Sequence, residues 1–201
     1  NGRVFDSDSI KTSDNITLSE EQIAAINNVI NAPVSVITGG PGSGKTTMVQ
    51  GLVSTLKILG VTVRLCAPTG RAAKRISETP GLAQLSPSTI HMFLAKEKGA
   101  KSSSEFDIMI VDEASMIDST LYAEILRTCL KCKIIFVGDH AQMAPVKEQI
   151  SPIYSGVDDK NFIFLSEPIR NAGSPALMNL CTQLRATVEN NVFNPIKEIP
   201  G

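Results

Sequence analysis

The feature that most constrains the fold is a glycine-rich octapeptide between a short apolar run and a helical stretch. It comprises Gly39-Gly40-Pro41-Gly42-Ser43-Gly44-Lys45-Thr46 and follows the β-branched run 34–37. Helical spacing of apolar residues then extends from Thr46 to Ile58. In this context of strand, glycine turn and helix, the G-x-x-x-x-G-K-[ST] pattern predicts a phosphate-binding loop. With eight residues in register, a chance glycine turn is the weaker interpretation.

The residue types in this loop suit phosphate chemistry. Glycines let successive backbone N–H groups turn toward phosphate oxygens without a Cβ clash, and the helix start adds its dipole. Lys45 supplies a mobile positive charge to the β- and γ-phosphates, and the Thr46 hydroxyl is a ligand for Mg²⁺. The sequence therefore predicts a site for a nucleoside triphosphate with Mg²⁺. The candidate nucleotide-binding residues of the loop are Gly39, Gly40, Pro41, Gly42, Ser43, Gly44, Lys45, Thr46 and Thr47.

The other apolar runs predict the rest of a sheet. Predicted strands cover residues 34–37, 61–67, 108–111, 134–137 and 162–165, and predicted helices include 70–77, 89–95 and one through Leu121 and Ile125. The first helix opens with a capping box of Ser19 and Gln22. Continuous apolar strands that alternate with helices indicate an α/β fold, a parallel sheet with helices on both faces. Ligands of such sheets bind at the carboxyl ends of the strands.

Polar side chains follow two of these strands. Asp112 and Glu113 come directly after the run 108–111. A carboxylate at Asp112 can hold Mg²⁺ through water, and Glu113 can accept the proton of an attacking water. Gln142 follows the run 134–137, and its amide can donate to a γ-phosphate and accept from water. We expect these groups to complete a nucleotide-hydrolysing site.

Three further sites allow more than one interpretation. Pro68, Thr69 and Arg71 open a basic helix that suits a nucleic-acid phosphate, although a solvated basic face has the same composition. Thr89-Ile90-His91 is either a DNA contact or a helix cap with a partly buried histidine. Arg170 either reaches a γ-phosphate or pairs with Glu167.

Composition sets outer limits on these interpretations. The 201 residues amount to about one domain, with 42% hydrophobic and 19% charged residues and a net charge of −1. The sequence has no apolar run of about 18 residues and a polar N-terminus, so we expect no membrane span and an intracellular, cytoplasmic location, in the host cytoplasm if viral. Cys129 and Cys132 lack the further ligands of a zinc site, and Cys66 is expected to be a buried thiol.

Together these stretches resemble superfamily 1 DNA helicases, specifically the RecD-like and Dda-like branch that moves 5′ to 3′ on single-stranded DNA. The matching stretches are, in order, Leu18-Ser19-Glu20-Glu21-Gln22, residues 39–47, Ala67-Pro68-Thr69-Gly70-Arg71-Ala72-Ala73, Ser88-Thr89-Ile90-His91, Asp112-Glu113-Ala114-Ser115-Met116, residues 138–146 and residues 165–170. The resemblance implies a P-loop NTPase fold: residues 18–201 form the first RecA-like motor domain, after a polar leader at residues 1–17.

The resemblance also implies a role for each candidate residue. Gln22 would read adenine. The catalytic group would comprise Lys45, Glu113, Gln142 and Arg170, and the Mg²⁺ ligands Thr46 and Asp112. The DNA strand would contact Pro68, Thr69, Arg71, Thr89 and His91.

Two departures from the family bear on the activity of this chain. The pin that splits the duplex is inserted before the Asp112 motif in relatives, and here only residues 93–107 are available, so we expect a very short pin. The second motor domain, with its arginine finger, does not fit into the stretch after Arg170, and we expect it to be absent from this chain. The implied partners are single-stranded DNA, that second motor domain, and replication or recombination proteins.

Two other classes of function stay open on the sequence alone. One is a different P-loop ATPase or a nucleotide kinase, and the other is a non-catalytic module that binds single-stranded DNA. The ordered motifs around Thr69, His91 and Gln142 favour the DNA motor over a kinase. The intact Lys45 and Glu113 favour an enzyme over a binding module.

Overall fold

In the part of the chain that the structure describes, six parallel strands form one sheet and five α-helices pack against it. The computed structural model describes residues 18–99, 106–146, 148–165 and 183. The strands are β1 (Val34–Gly39), β2 (Val63–Ala67), β3 (Ser88–Thr89), β4 (Ile108–Val111), β5 (Lys133–Gly138) and β6 (Phe162–Leu165). The helices are α1 (Glu20–Asn31), α2 (Lys45–Ile58), α3 (Gly70–Ser77), α4 (Ile90–Gly99) and α5 (Ser119–Thr128). The strand order is β3-β2-β4-β5-β1-β6, and every pairing is parallel.

Local sequence signals explain where the helices begin. Ser19 and Gln22 form the predicted capping box at the start of α1: each side chain accepts from the other's backbone N–H, at 3.2 and 3.0 Å. Asp118 caps α5 by accepting from the backbone N–H of Leu121 at 2.8 Å. These bonds satisfy donors that a helix start otherwise leaves unpaired, and they fix where each helix begins relative to the sheet.

The sheet separates two apolar clusters, as expected for a parallel sheet covered on both faces. Side chains such as Ile37 and Ile110 pack with α1, α2 and α3, whereas Val36 and Met109 pack with α4 and α5. Neighbouring strand residues point to opposite faces, so the apolar runs of the central strands β4 and β5 are buried along their whole length, whereas Phe164 in the edge strand β6 is exposed. This confirms the predicted α/β fold. Cys66 is buried at the centre of β2, as predicted.

The structure differs from the sequence prediction at the start of the second strand, and it contains a strand that was not predicted. Residues 61 and 62 lie outside β2: Val61 closes the end of α2 by donating to the Leu56 carbonyl at 2.9 Å, and the Thr62 hydroxyl and N–H both donate to Asp107 at 2.7 Å. Ser88–Thr89 is a sixth strand, not predicted, which pairs with the end of β2. The predicted helix at 89–95 therefore starts one residue later, and it extends to Gly99.

The topology brings three strand ends together at one edge of the sheet. β1, β5 and β4 are neighbours in that order, so the loops after Gly39, Gly138 and Val111 emerge side by side.

None of the helices in the described ranges is long and apolar enough to cross a membrane. The leader at residues 1–17 and Arg170 lie outside the described residues. Of the stretch 93–107, where we expect a very short pin, the structure describes the part of α4 from Phe93 onward with Phe106 and Asp107, and the short pin stays a prediction.

Candidate active site

The phosphate loop joins β1 to α2 in the conformation that its glycines permit. Gly42 and Gly44 have φ of 82° and 76°, a region that side chains with a Cβ rarely adopt. Among the described residues, no side chain caps the start of α2, whose N-cap is Gly44. A helix start of this kind presents backbone N–H groups and the positive end of the dipole to an anion.

Two polar groups inside the loop fit a phosphate ligand. The Lys45 ammonium donates to the carbonyl oxygens of Gly39 and Gly40 at 2.6 and 3.0 Å, so its positive charge sits inside the loop. The Ser43 hydroxyl is buried and has no hydrogen-bond partner within the described part of the chain. Such a buried hydroxyl is costly unless a ligand or water satisfies it, which supports a polar occupant here.

A cavity of about 290 Å³ connects the loop to the predicted catalytic residues. Its wall includes residues of the loop and of the ends of β4 and β5, namely Pro41, Gly42, Ser43, Gly44, Lys45, Thr46, Asp112, Glu113 and Gln142. Side chains from α3 and the segment after it close the far side. The structure thus brings together the hydroxyl, ammonium, carboxylates and amide that the sequence assigned to one site.

Asp112 and Glu113 occupy different environments although they are adjacent. Burial raises the pKa of Asp112, and a hydrogen bond from the Glu113 N–H at 2.9 Å together with the charges of Arg75 and Lys45 opposes that rise. An oxygen-ligated cation at this carboxylate would offset its desolvation, so the donor set of Asp112 and Thr46 fits a hard metal ion such as Mg²⁺.

Glu113 has a strained, left-handed backbone conformation. Its φ of 54° is left-handed, which costs a non-glycine residue about 1–2 kcal/mol. From this position the Glu113 carboxylate forms an ion pair with Arg75 on α3. The carboxylate hydrogen bond raises the pKa of Arg75 further.

Gln142 is held by a turn after β5. The buried Asp139 accepts from the backbone N–H of Ala141 at 3.1 Å and from the Gln142 side-chain amide at 3.3 Å. His140 contacts the hydroxyl of Thr38 on β1 through both its backbone N–H and Nδ1, at 3.3 and 3.2 Å. The turn is therefore tied to the strand that carries the phosphate loop.

A groove of about 550 Å³ adjoins this cavity along α3. Its cationic side chains are Arg71, Lys74 and Arg75, and Arg75, Glu113 and Gln142 line both the groove and the nucleotide cavity. Thr69 lies at its end and caps α3 by accepting from the Ala72 N–H at 3.2 Å.

Four of the five predicted DNA-binding residues line two neighbouring depressions. Thr69 and Arg71 line the groove, while Pro68, Thr69 and His91 line a depression of about 250 Å³, so Thr69 belongs to both. The Thr89 hydroxyl caps α4 by accepting from the Met92 N–H at 3.2 Å, which is one of the two roles that the sequence left open, and a DNA contact of Thr89 stays a prediction.

Gln22 lies behind the phosphate loop. It is 1% exposed, and its amide donates to the Gly44 carbonyl at 3.2 Å while its oxygen accepts from Ser19. In this arrangement the side chain supports the loop from α1. Adenine recognition by Gln22 stays a prediction, and it requires the amide to change partners.

Sequence reasoning missed Arg75 as a residue of the site. The sequence shows it only as one of three basic residues on a short helix, and helical spacing alone favours a solvated face. The contact with Glu113 depends on how α3 lies beside the end of β4, and no local pattern encodes that.

Residues 17–188 match the family model of the AAA domain. The chain belongs to this AAA domain family. The match covers the phosphate loop, both carboxylates and the Gln142 turn.

Relatives of this AAA domain include helicases. The ATP-dependent RecD2 DNA helicase of Deinococcus radiodurans is 36% identical over 135 residues, which is 64% of this chain and 18% of the relative. The RecBCD enzyme subunit RecD of Buchnera aphidicola is 34% identical over 158 residues, 63% of this chain and 25% of the relative. These matches confirm the resemblance to RecD-like helicases. The chain spans about a quarter or less of the length of these relatives.

Solved structures confirm the fold. The Pif1 helicase of Candida albicans superposes with a TM-score of 0.67 at 22% identity, covering 85% of this chain and 44% of that structure. The RecA-like P-loop NTPase fold expected from the resemblance is therefore confirmed.

Proposed function

We propose that this AAA domain is the first motor domain of an ATP-dependent DNA helicase or translocase that moves 5′ to 3′. The observation that carries the proposal is the shared wall between two sites. Glu113 and Gln142 belong both to the cavity at the phosphate loop and to the groove that runs to Thr69. A motor needs its hydrolysis site and its DNA-binding surface to be connected, and the shared wall supports such a connection.

Each polar residue of the cavity has a separate role in the hydrolysis of ATP. Lys45 and the loop N–H groups bind the phosphates, and Glu113 accepts a proton from the attacking water. Gln142 is proposed to sense the γ-phosphate, because it lines the same cavity. Mg²⁺, when bound by Thr46 and Asp112, neutralises phosphate charge. Arg170 remains a proposed contact to the γ-phosphate.

Single-stranded DNA is proposed to follow the surface from Arg71 past Thr69 and Pro68 to His91. The Thr69 and Arg71 side chains offer polar and cationic groups to the DNA backbone, and the exposed His91 ring offers a stacking surface. Contacts of this kind tolerate any sequence. Replication and recombination proteins are proposed partners, by analogy with the relatives.

Replacing Thr69 and His91 together tests this path. The Thr69→Ala/His91→Ala double variant should bind a fluorescent oligodeoxythymidine about five- to tenfold more weakly, because it loses a polar contact and a stacked ring. Fluorescence anisotropy at matched salt measures the affinity, and an oligodeoxyadenosine should show a similar loss.

Lys160→Ala is the control for this experiment. It removes a full positive charge just before β6, at the amino edge of the sheet, and should leave the affinity unchanged. Equal affinity of the double variant and the wild type would place the strand elsewhere. A wild-type chain that binds Mg-ATP but no DNA would favour a different P-loop enzyme, and one that binds DNA but no Mg-ATP would favour a non-catalytic module.

A further inference from the structure

The ion pair between Arg75 and Glu113 connects the two sites directly. Arg75 lies on the face of α3 that lines the groove, and Glu113 follows β4 at the nucleotide cavity. The Arg75 side chain is 63% exposed and the Glu113 side chain 24% exposed, so the pair is open to solvent on the groove side. A ligand in the groove can therefore reach the guanidinium without unfolding any element.

The Glu113 carboxylate has a fixed resting position in this structure. The left-handed backbone at Glu113 turns its side chain toward α3, where Arg75 holds it. While it is paired with the Arg75 guanidinium, this carboxylate is held away from other partners. Release from Arg75 would make the carboxylate available for a water in the nucleotide cavity.

A nucleic-acid phosphate is a suitable competitor for Arg75. The guanidinium binds phosphate oxygens in the same forked geometry that it uses with carboxylates. Arg71 and Lys74 lie one turn or less from Arg75 on the groove wall, so a phosphate there meets several positive charges. An exposed ion pair shifts an equilibrium by only about fivefold or less, so phosphate contacts are strong enough to displace it.

We propose that Arg75 is a positioning residue that pairs with Glu113 when no DNA is bound. A DNA phosphate that binds Arg75 in the groove then displaces Glu113 and leaves its carboxylate free. This inference rests on the proposed function, and it names the contact through which bound DNA activates ATP hydrolysis. By reciprocity, loss of the Glu113 charge must strengthen DNA binding through Arg75.

A double-mutant cycle on the intact chain measures this coupling without relying on turnover. Glu113→Gln should raise the affinity for oligodeoxythymidine about two- to fivefold, and Arg75→Met should lower it. In the Arg75→Met background, Glu113→Gln should produce no gain, because the competition has been removed. Fluorescence anisotropy at fixed ionic strength gives all four affinities, and circular dichroism checks that each variant is folded.

Glu78→Gln is the matched control. Glu78 also lines the groove, but its partner is Lys74 at 3.9 Å, so any gain from losing its charge should persist in the Arg75→Met background. This separates competition for Arg75 from a general change in groove charge.

Three results would overturn the inference. One is an equal gain from Glu113→Gln with and without Arg75, and another is unchanged DNA affinity in Arg75→Met. The third is a loss of affinity in Glu113→Gln, which would mean that Glu113 and the phosphate bind Arg75 together. A wild-type chain that binds no single-stranded DNA would contradict the proposed function itself, whereas binding without the Arg75-dependent gain overturns the inference alone.

Discussion

Single residues define the site through their backbone conformations as much as through their side chains. Gly42 and Gly44 adopt left-handed conformations that shape the phosphate loop, and Glu113 adopts one despite its Cβ. The loop glycines are recognisable in the sequence because only glycine takes this conformation at little cost. The strain at Glu113 is not recognisable, because the sequence Asp112-Glu113 is equally compatible with an ordinary turn. The orientation of Glu113, and hence its pairing with Arg75, needed the structure.

The proposed base can be tested separately from nucleotide binding. Glu113→Gln keeps the size of the side chain but removes its proton acceptor. The affinity for Mg-ATP should stay within about twofold, while hydrolysis by the complete enzyme should fall by about 10²–10⁴-fold, the usual contribution of a general base. Single-turnover hydrolysis of radiolabelled ATP over hours measures rates this low.

Glu148→Gln serves as the comparison for that experiment. Its carboxylate accepts only a surface bond from the Ser119 N–H among the contacts the structure resolves, and the amide preserves an acceptor there. It should hydrolyse ATP at the wild-type rate. Wild-type turnover by Glu113→Gln would remove Glu113 from the role of base.

At the level of helices and strands, most of the fold could be predicted from the sequence. Apolar runs located five strands, and capping signals located the start of α1. The sixth strand, Ser88–Thr89, was missed because two polar residues carry no periodic pattern, and only pairing with β2 makes them a strand. The order of the strands comes from tertiary packing. The sequence placed Asp112 and Gln142 near the loop only through the rule that ligands bind at the carboxyl edge.

The junction of β5 with its neighbours makes a stability prediction possible. A Cβ added at Gly138 would lie 2.8 Å from the Tyr154 hydroxyl oxygen and 3.2 Å from the Ser115 backbone nitrogen. Backbone atoms cannot yield easily, so Gly138→Ala should lower the free energy of unfolding by about 1–3 kcal/mol. Urea denaturation followed by circular dichroism measures the change.

Gly70→Ala gives the matched control for Gly138→Ala. No atom of the described chain lies within 4 Å of a Cβ built at Gly70, and Gly70 is the first residue of α3. The substitution should be neutral or slightly stabilising, because alanine loses less backbone entropy than glycine in a helix. Equal stability of both alanine variants would show that the end of β5 has more room than the structure indicates.

At the scale of the whole molecule, the described residues that we propose to bind the nucleotide all lie on one side of the cavity. The loop, Asp112 and Glu113 form one wall, and an arginine finger that approaches from elsewhere is worth about 10³–10⁵ in rate among P-loop enzymes. The resemblance to RecD-like helicases implies that a second motor domain supplies this group. The 201 residues match only 18% of the length of the RecD2 relative.

We therefore expect the isolated 201-residue chain to hydrolyse ATP very slowly, to bind single strands weakly and to unwind no duplex. Phosphate release with and without oligodeoxythymidine measures the first property, and a strand-displacement assay measures the last. Fast turnover that depends on DNA would show that the arginine finger comes from within this chain or from a second copy of it.

Binding of Mg-ATP to the 201-residue chain decides whether the phosphate loop is a nucleotide site. Titration with a fluorescent ATP analogue should show saturable binding at one site per chain that requires Mg²⁺. Lys45→Ala should abolish or greatly weaken it in a protein that circular dichroism shows to be folded, because Lys45 carries the charge inside the phosphate loop. A folded wild-type chain without saturable binding, or a Lys45→Ala variant with unchanged affinity, would contradict the account.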